Sequence, residues 1–332
     1  MDTMTRRQAT KVIGIGAGAW LAQSAVPPAL LGQARTRLAI GTFSATVGVF
    51  YPLGSGMAAL ISKYIPGIEA TAEVTGGSRD NMKLLQSGKV QLALAVADVA
   101  WDASQGKLKD LPEKVAVRTL LATFPAYLHI VTLEGSGIRA VGDLRGKRVS
   151  TGPAAGGSEG VGLRVFEAYD ITPQELGSHL RLDYPESAAA LKDGKVDAFL
   201  FNTAVPATLI RDLTATPGIK VKLIPHGDAA PKLMAKHPYY FAASIPRGTY
   251  PGVDEDTSAI ATAALFVAHE RVEEPLAYEI TKLILERADE VAAVHAVAKQ
   301  ITLKGAVRGS PIPFHPGAVR YYREKGLTVP SP

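Results

Sequence analysis

Residues 84–101 read LLQSGKVQLALAVADVAW, and this stretch decides the fold. Within it Val90–Val96 is an apolar run too short for a helix, which marks a strand buried on both faces. A helix over Asp80–Ser87 precedes it and an acid, Asp98, ends it. Working back, Arg37–Gly41 reads as a strand, a Gly/Ser/Thr loop leads to a helix near Pro52–Tyr64, and Ile68–Val74 is a second strand. Working forward, Val117–Thr123 is another. Strands alternating with helices imply a largely parallel sheet covered on both sides.

Around Phe124–Thr132 the chain reads as extended and passes into a second unit. There, Asp143–Ser150 is a helical turn leading into a strand, and Glu159–Tyr169 and Glu186–Lys192 are helices. Val196–Phe201 and Lys220–Ile224 are strands. Tyr239–Pro246 reads as a return crossing, and a last helix lies near Pro316–Glu324. Two crossings imply a discontinuous first lobe, 35–127 with 242–332, and an inserted second lobe, 128–241, with a cleft between them. The expected class is α/β, two doubly wound lobes joined by two crossover hinge strands.

The bulk properties exclude several classes. With 47% apolar and 20% charged residues, neither disorder nor a multi-span membrane protein is favoured. The formal charge of +5 is spread along the chain with no basic-aromatic patch, so no nucleic-acid partner is expected. Cysteine is absent, which removes thiolate chemistry and disulfides. The seven histidines (129, 179, 226, 237, 269, 295 and 315) have no ligand-like spacing, so no metal is expected.

Near the N-terminus Gly14-Ile-Gly16-Ala-Gly18-Ala19 matches a short dinucleotide fingerprint. That site needs a carboxylate about 20 residues on, and none stands between Asp2 and Glu69. No cofactor is therefore expected. Arg6-Arg7 instead precedes an uncharged stretch, Val12–Ala22, that as a helix would span about 16 Å, half a bilayer core. Residues 1–34 thus read as a cleaved export signal of twin-arginine type, with Gly32-Gln33-Ala34 at the cleavage site, and the mature chain is expected in the periplasm. A second uncharged run, Leu38–Ser62, is broken by Gly41, Pro52, Gly54 and Gly56 and reads as strand, loop and helix.

In open α/β sheets ligands bind beyond the carboxyl ends of strands. Four loops in such positions are rich in small polar residues: Thr42–Gly48, Thr75–Asn81, Gly152–Ser158 and Asn202–Pro206. Amides at helix N-termini can cradle a carboxylate without arginine. The expected ligand groups are Ser44, Thr46, Gly77, Ser78, Gly156 and Ser158 around the anion, with Asn81 and Asn202 on a second polar group. Phe43 or Tyr51 would cover an apolar part, and Asp98 borders the cleft. Arg79 and Arg164 lie near two of the loops and read as solvated surface cations. Gly156-Gly-Ser158-Glu-Gly160 also matches a nucleophile elbow, which makes a serine hydrolase the competing enzyme reading. Ser158 lies too far past its strand for that elbow, and no acid and histidine follow in a recognisable setting.

An ordered set of stretches along nearly the whole mature chain resembles the TAXI-type solute receptors of TRAP (tripartite ATP-independent periplasmic) transporters. These are IGT at 40–42, YPLG at 51–54, TGGS at 75–78 with Asn81, residues 84–101, and DLRGKRVSTG at 143–152. ALKDGKVDAF at 190–199, IPRGTYPGVDED at 245–256 and SPIPFHPGAVRYYREKG at 310–326 complete it. The resemblance implies a type II periplasmic-binding-protein fold and a non-catalytic receptor; a monomer is expected. Such a receptor captures a small organic acid or amino acid and delivers it to the TRAP permease subunits in the membrane. A receptor of an ABC importer on the same fold is the alternative. The sequence departs from the family at Phe43-Ser-Ala-Thr-Val47, Phe50, Ala97 and Gly156, which implies a more apolar pocket.

Overall fold

The computed structural model describes residues 36–154 and 156–330. The expected export signal and the Gly14–Ala19 fingerprint lie outside the described residues. In chain order the elements begin with β1 (Thr36–Gly41), α1 (Phe50–Tyr64), β2 (Ile68–Glu73), α2 (Ser78–Gln86), β3 (Leu92–Val96), α3 (Ala97–Ser104) and β4 (Val117–Leu133). Next come β5 (Arg148–Ser150), α4 (Ser158–Ala168), β6 (Ser178–Leu180), α5 (Tyr184–Lys192), β7 (Ala198–Thr203), α6 (Thr208–Thr214), β8 (Val221–Leu223) and α7 (Ala230–Lys236). The chain closes with β9 (Tyr240–Ile245), β10 (Thr257–His269), α8 (Glu274–Glu286), α9 (Ala288–Val294) and α10 (Pro316–Glu324). Leu38–Ser62 forms a strand, a loop and most of a helix, and among the described residues no helix is long and apolar enough to cross a membrane.

The strands run β2-β1-β3-β10-β4-β7-β5-β6, with β8 against β4 and β9 against β10. β1 pairs in parallel with β2 and β3, and β5 with β6 and β7, as the βα rhythm predicts. β3 is buried at all five positions, the both-sides burial read from LALAV.

Two long strands carry the chain between the lobes. β4 has 17 residues and spans about 56 Å at 3.3 Å per residue. Its first part pairs with β10 in the first lobe, and Tyr127–Thr132 pair with β7 in the second. Pro125, which has no N–H to give, sits before the β7 ladder starts, where an extended strand tolerates it. A register shift in the β4–β10 ladder falls beside it, between Ala264 and Leu265.

The return crossing differs from the expectation at 239–246. Tyr240–Ile245 is β9, which pairs back onto Thr257–Thr262 of β10. Ile245, Tyr250, Val253 and Ala259 are buried in one cluster with Tyr184, Phe199 and Phe201 of the second lobe. Ala263–Ala268 belong to the first-lobe core with Leu94 and Leu121. Packing therefore changes lobes inside β10, between Ile260 and Ala263, some twenty residues after the expected boundary at 241/242. The apolar pattern of YYFAASIP fits either lobe, and it is Tyr250 and Val253 beyond the turn that anchor the segment to the second.

Candidate functional site

The carboxyl ends of β1, β3 and β7 and the middle of β4 meet at one place between the lobes. The loop after β1 contributes Phe43, Gly48 and Val49, and α1 adds Phe50. Gly77 and Ser78 open α2, and Val96 ends β3. Phe124 and Ala126 come from the crossing in β4. From the second lobe come Gly156, Gly157, Tyr184, Phe201, Asn202 and Thr203. Together they enclose a cavity of about 40 Å³.

Local chemistry explains how the first-lobe wall is held. Gly77 has φ 110°, a left-handed conformation that suits glycine and lets the chain turn directly into α2. Asp80 accepts from the Gly76 amide at 2.9 Å, and Thr75 Oγ1 accepts from the Gly77 amide at 3.1 Å. Asn81 is buried and fully used: Nδ2 donates to the carbonyls of Thr42 and Leu94, both at 2.8 Å, and Oδ1 accepts from Thr75 at 2.7 Å. It ties β1 to β3 and has nothing left for a ligand.

The second-lobe wall is held by Ser158. Its Oγ accepts from the Asn202 backbone amide at 2.8 Å and is hydrogen-bonded to the Tyr184 hydroxyl at 2.7 Å. Burial pushes the Tyr184 phenol up to about 12. Tyr184 packs on Phe201, with ring centroids 4.2 Å apart, and edge-on against Phe43 of the opposite lobe at 5.7 Å. Behind Phe201, His129 Nε2 lies 2.8 Å from the Tyr250 hydroxyl, which accepts the Ala207 amide at 2.9 Å. The Tyr250 proton therefore goes to Nε2, and Nδ1–H donates to the carbonyl of Phe201 or Tyr127. Burial lowers the His129 pKa to about 4, so the ring is neutral.

The cavity has two electrostatic features. No charged side chain lines it among the described residues, and the N-terminal turns of α2 and α4 both open at it. Each turn presents unpaired amides equivalent to about half a positive charge. Asn202 supplies the only carboxamide, and its Oδ1 and Nδ2 are both buried with no partner. An unpaired buried polar atom costs about 1–3 kcal/mol, and Asn202 carries two of them beside the cavity.

Charge is concentrated just outside this cavity. Asp98, on α3 of the first lobe, is buried and accepts from Arg164 at 3.1 Å and from the Tyr240 hydroxyl at 3.0 Å, both in the second lobe. Arg164 also pairs with Asp102 of α3. Burial raises the Asp98 pKa, and the Arg164 guanidinium pulls it the other way. Burial likewise opposes the charge of Arg164, but Tyr240, Asp98 and Asp102 more than offset it and raise its pKa. Arg164 is 17% exposed, so it is an interlobe tie and not the solvated surface cation read from the sequence. Arg79 is partly buried too, with its Nε unpartnered.

Of the residues picked from the sequence, Phe43, Gly77, Ser78, Gly156 and Asn202 line the cavity. Ser158 stands directly behind the lining. Ser44 and Thr46 bond to one another at 3.1 Å in the loop and do not line it. Tyr51 sits in the first turn of α1, also outside the lining, as do Asn81 and Asp98. Phe124, Tyr184, Phe201 and Thr203 are not among the expected ligand residues: Phe124 and Phe201 lie in apolar runs that read equally well as core, and Tyr184 stands between Asp183 and Pro185 at a helix start. The elbow reading of Ser158 has no geometric support. The residue begins α4, eight positions after β5 ends at Ser150, and its hydrogen-bond partners Tyr184 and Asn202 include no base.

A family model described as the NMT1-like family matches residues 40–326. Among solved structures, XAC2383 from Xanthomonas citri bound to chloride ion is 14% identical, with a TM-score of 0.50, over 87% of this chain and 95% of that one. A putative L-cystine ABC transporter protein from Listeria monocytogenes is 15% identical at a TM-score of 0.48, over 82% and 98%. The periplasmic aliphatic sulphonate binding protein SsuA from Escherichia coli is 15% identical at 0.46, over 86% and 78%. The architecture is the type II periplasmic-binding-protein fold expected from the sequence.

Proposed function

The chain belongs to the NMT1-like family, and we propose that it is an extracytoplasmic solute receptor. In this reading the interlobe cavity captures a small organic acid or amino acid and delivers it to a TRAP-type secondary transporter. The observation that carries it is the uncharged cavity with an unpartnered Asn202 carboxamide on one wall and two helix N-termini opening into it. Binding at about 1 μM needs roughly −8 kcal/mol. Three or four hydrogen bonds to a charged group, at about 1.5–3 kcal/mol each, reach that scale without any arginine.

The receptor works as a hinge. Bending of β4 near Phe124–Tyr127 and of β10 near Ala261–Ala264 parts the lobes, and the ligand favours the closed form by touching both walls. Export by the twin-arginine signal in residues 1–34 places the monomeric receptor in the periplasm. The TRAP assignment rests on the ordered motifs from 40–42 to 310–326; a receptor for an ABC importer would use the same cleft.

Two experiments test the reading. A thermal-shift screen of organic acids and amino acids on the mature protein is expected to find a stabilising ligand. Uptake of that ligand into vesicles carrying the receptor's permease is then expected to follow a sodium gradient. Uptake that needs ATP instead assigns the receptor to an ABC importer, and hydrolysis of generic esters abolished by Ser158→Ala makes it a hydrolase.

A further inference from the structure

A second cavity, of about 410 Å³, lies against the hinge. It is lined by Ala122–Pro125 of β4, Ala263 of β10, Phe241 of β9 and residues from 300–309, between α9 and α10. Phe124 is the one lining residue it shares with the cleft cavity. The pieces belong to different lobes. Ile301, Ala306 and Val307 sit in the first-lobe core, whereas Phe241 follows Tyr239 and Tyr240 of the second-lobe core. Between them the β4–β10 ladder changes register. Ala264 pairs with Phe124 and Leu265 with Ala122, which leaves Thr123 as an extra residue on the cavity lining. Its hydroxyl donates to the Ala264 carbonyl at 2.9 Å. The Ala306 carbonyl accepts the Ala122 amide at 2.8 Å, which fastens 300–309 to the same bulge.

The lining has one charge. Arg308 is exposed at the cavity, no acid lines it, and among the described residues its guanidinium forms no ion pair. Pro125 and Phe241, both half-buried, supply apolar surface. A carboxylate suits a guanidinium through two parallel N–H···O bonds, while an ammonium meets no opposite charge there. An apolar cavity of roughly 150 Å³ takes benzene, so about 410 Å³ has room for a ring or several methylenes besides the carboxylate. The cleft cavity of about 40 Å³ is too small for such a molecule in this closed form.

We propose that the hinge cavity is a second binding site, for an aryl or medium-chain monocarboxylate, and that its occupant favours the closed form. The carboxylate meets Arg308, and the apolar body lies on Pro125, Ala263 and Phe241. Arg308 and Phe241 move with different lobes, so the hinge sets their spacing. A molecule that fits the spacing of the closed form stabilises that form.

The test is calorimetric titration of the mature protein with benzoate and hexanoate, their neutral amides, and benzylamine. Each acid is expected to bind about fivefold more tightly than its amide, the factor for one solvent-accessible guanidinium–carboxylate pair. Benzylamine is expected to bind most weakly. Arg308→Gln should remove the preference for acid over amide. Phe241→Ala should weaken acid and amide alike by about fivefold or more. In Arg164→Met, which lacks the interlobe ion pair, saturating benzoate should bring the radius of gyration back towards that of the parent. Failure of both acids to bind, or amides bound as tightly as the acids, overturns the inference. So does an acid preference that survives Arg308→Gln, since the probe then sits elsewhere. A radius of Arg164→Met that benzoate leaves unchanged while bound overturns the coupling to closure. Arg308 does not line the cleft cavity, so the solute-receptor reading stands or falls on its own ligand.

Discussion

Replacing Arg164 by methionine should open the protein. In the closed arrangement Arg164 of the second lobe holds Asp98 and Asp102 of the first, and Asp98 is 1% exposed at its side chain. Methionine keeps most of the apolar stem but removes the charged head. Removing one partner of a buried ion pair costs about 3–5 kcal/mol, because the other charge is left without water or counter-ion. Opening the cleft rehydrates Asp98 and recovers that cost, so the penalty falls on the closed form alone. Converted at 1.4 kcal/mol per power of ten, the closed-to-open ratio drops by a factor of about 10² to 10³·⁵.

Small-angle scattering reads this directly as a larger radius of gyration for the variant. Calorimetry should read a ligand affinity weaker by tenfold or more, since binding must now carry the lost closure energy. Asp98→Asn in the same chain removes the stranded charge and is expected to restore part of both, a coupling that a double-mutant cycle isolates. An unchanged radius together with an affinity within about twofold of the parent would refute the view that this ion pair ties the lobes.

Three further outcomes follow from the same contacts. Burial holds His129 and His226 near pKa 4 against a usual 6.5; because the folded values are lowered, stability is complete above pH 6.5 and falls as the pH drops towards 4. At pH 5 the linkage amounts to about 2 kcal/mol per histidine, to be measured by denaturant unfolding at pH 7.5 and 5, and His129→Gln should shrink the difference. Asn81→Ala strips three buried hydrogen bonds and should cost about 2–4 kcal/mol of unfolding free energy. It should leave the ranking of ligands unchanged, because Asn81 does not line the cavity. Tyr184→Phe removes the hydroxyl on Ser158 but keeps the ring on Phe201, and should lower stability by only about 1 kcal/mol.

The fold was legible because its signals are local. An unbroken apolar run such as LALAV has one cheap solution, a strand covered on both sides, and the small-residue loops follow from where such strands end. The site was half legible for a related reason. Asn202 stands out as a carboxamide closing the apolar strand AFLFNT, and the Gly77 and Gly156 turns announce themselves by composition. Phe124 and Phe201 do not: a ring aimed at a cavity and a ring aimed at a core leave the same letter in the same alternation. Asn81 misleads in the opposite direction. A polar residue one turn into a helix near a cleft looks available, yet the Thr42 and Leu94 carbonyls across two strands consume it. Tertiary partners of this kind are 13 and 39 residues away in sequence, beyond any periodicity.

Gly157 separates closure from stability, which the Arg164 substitution alone does not. It lies in the right-handed region at φ −93°, so alanine fits its backbone without strain. A methyl group there would stand 2.6 Å from Val96 Cγ2 in the opposite lobe. Val96 is β-branched and ends a fully buried strand, so it has little room to turn away. The clash exists only when the lobes are together, and overpacking of this size costs about 1–3 kcal/mol. Gly157→Ala should therefore weaken ligand binding by roughly 5- to 150-fold and enlarge the radius of gyration. The unfolding free energy of the unliganded protein should fall by no more than about 1 kcal/mol, the usual difference between glycine and alanine at an N-cap. Combined with Arg164→Met, the radius should gain little beyond the larger single effect, because a population already open cannot open again, while the affinity losses should add. A radius that stays at the parent value in both single variants would mean that Val96–Gly157 and Asp98–Arg164 meet in the open form too, and the hinge would have to lie elsewhere than in β4 and β10.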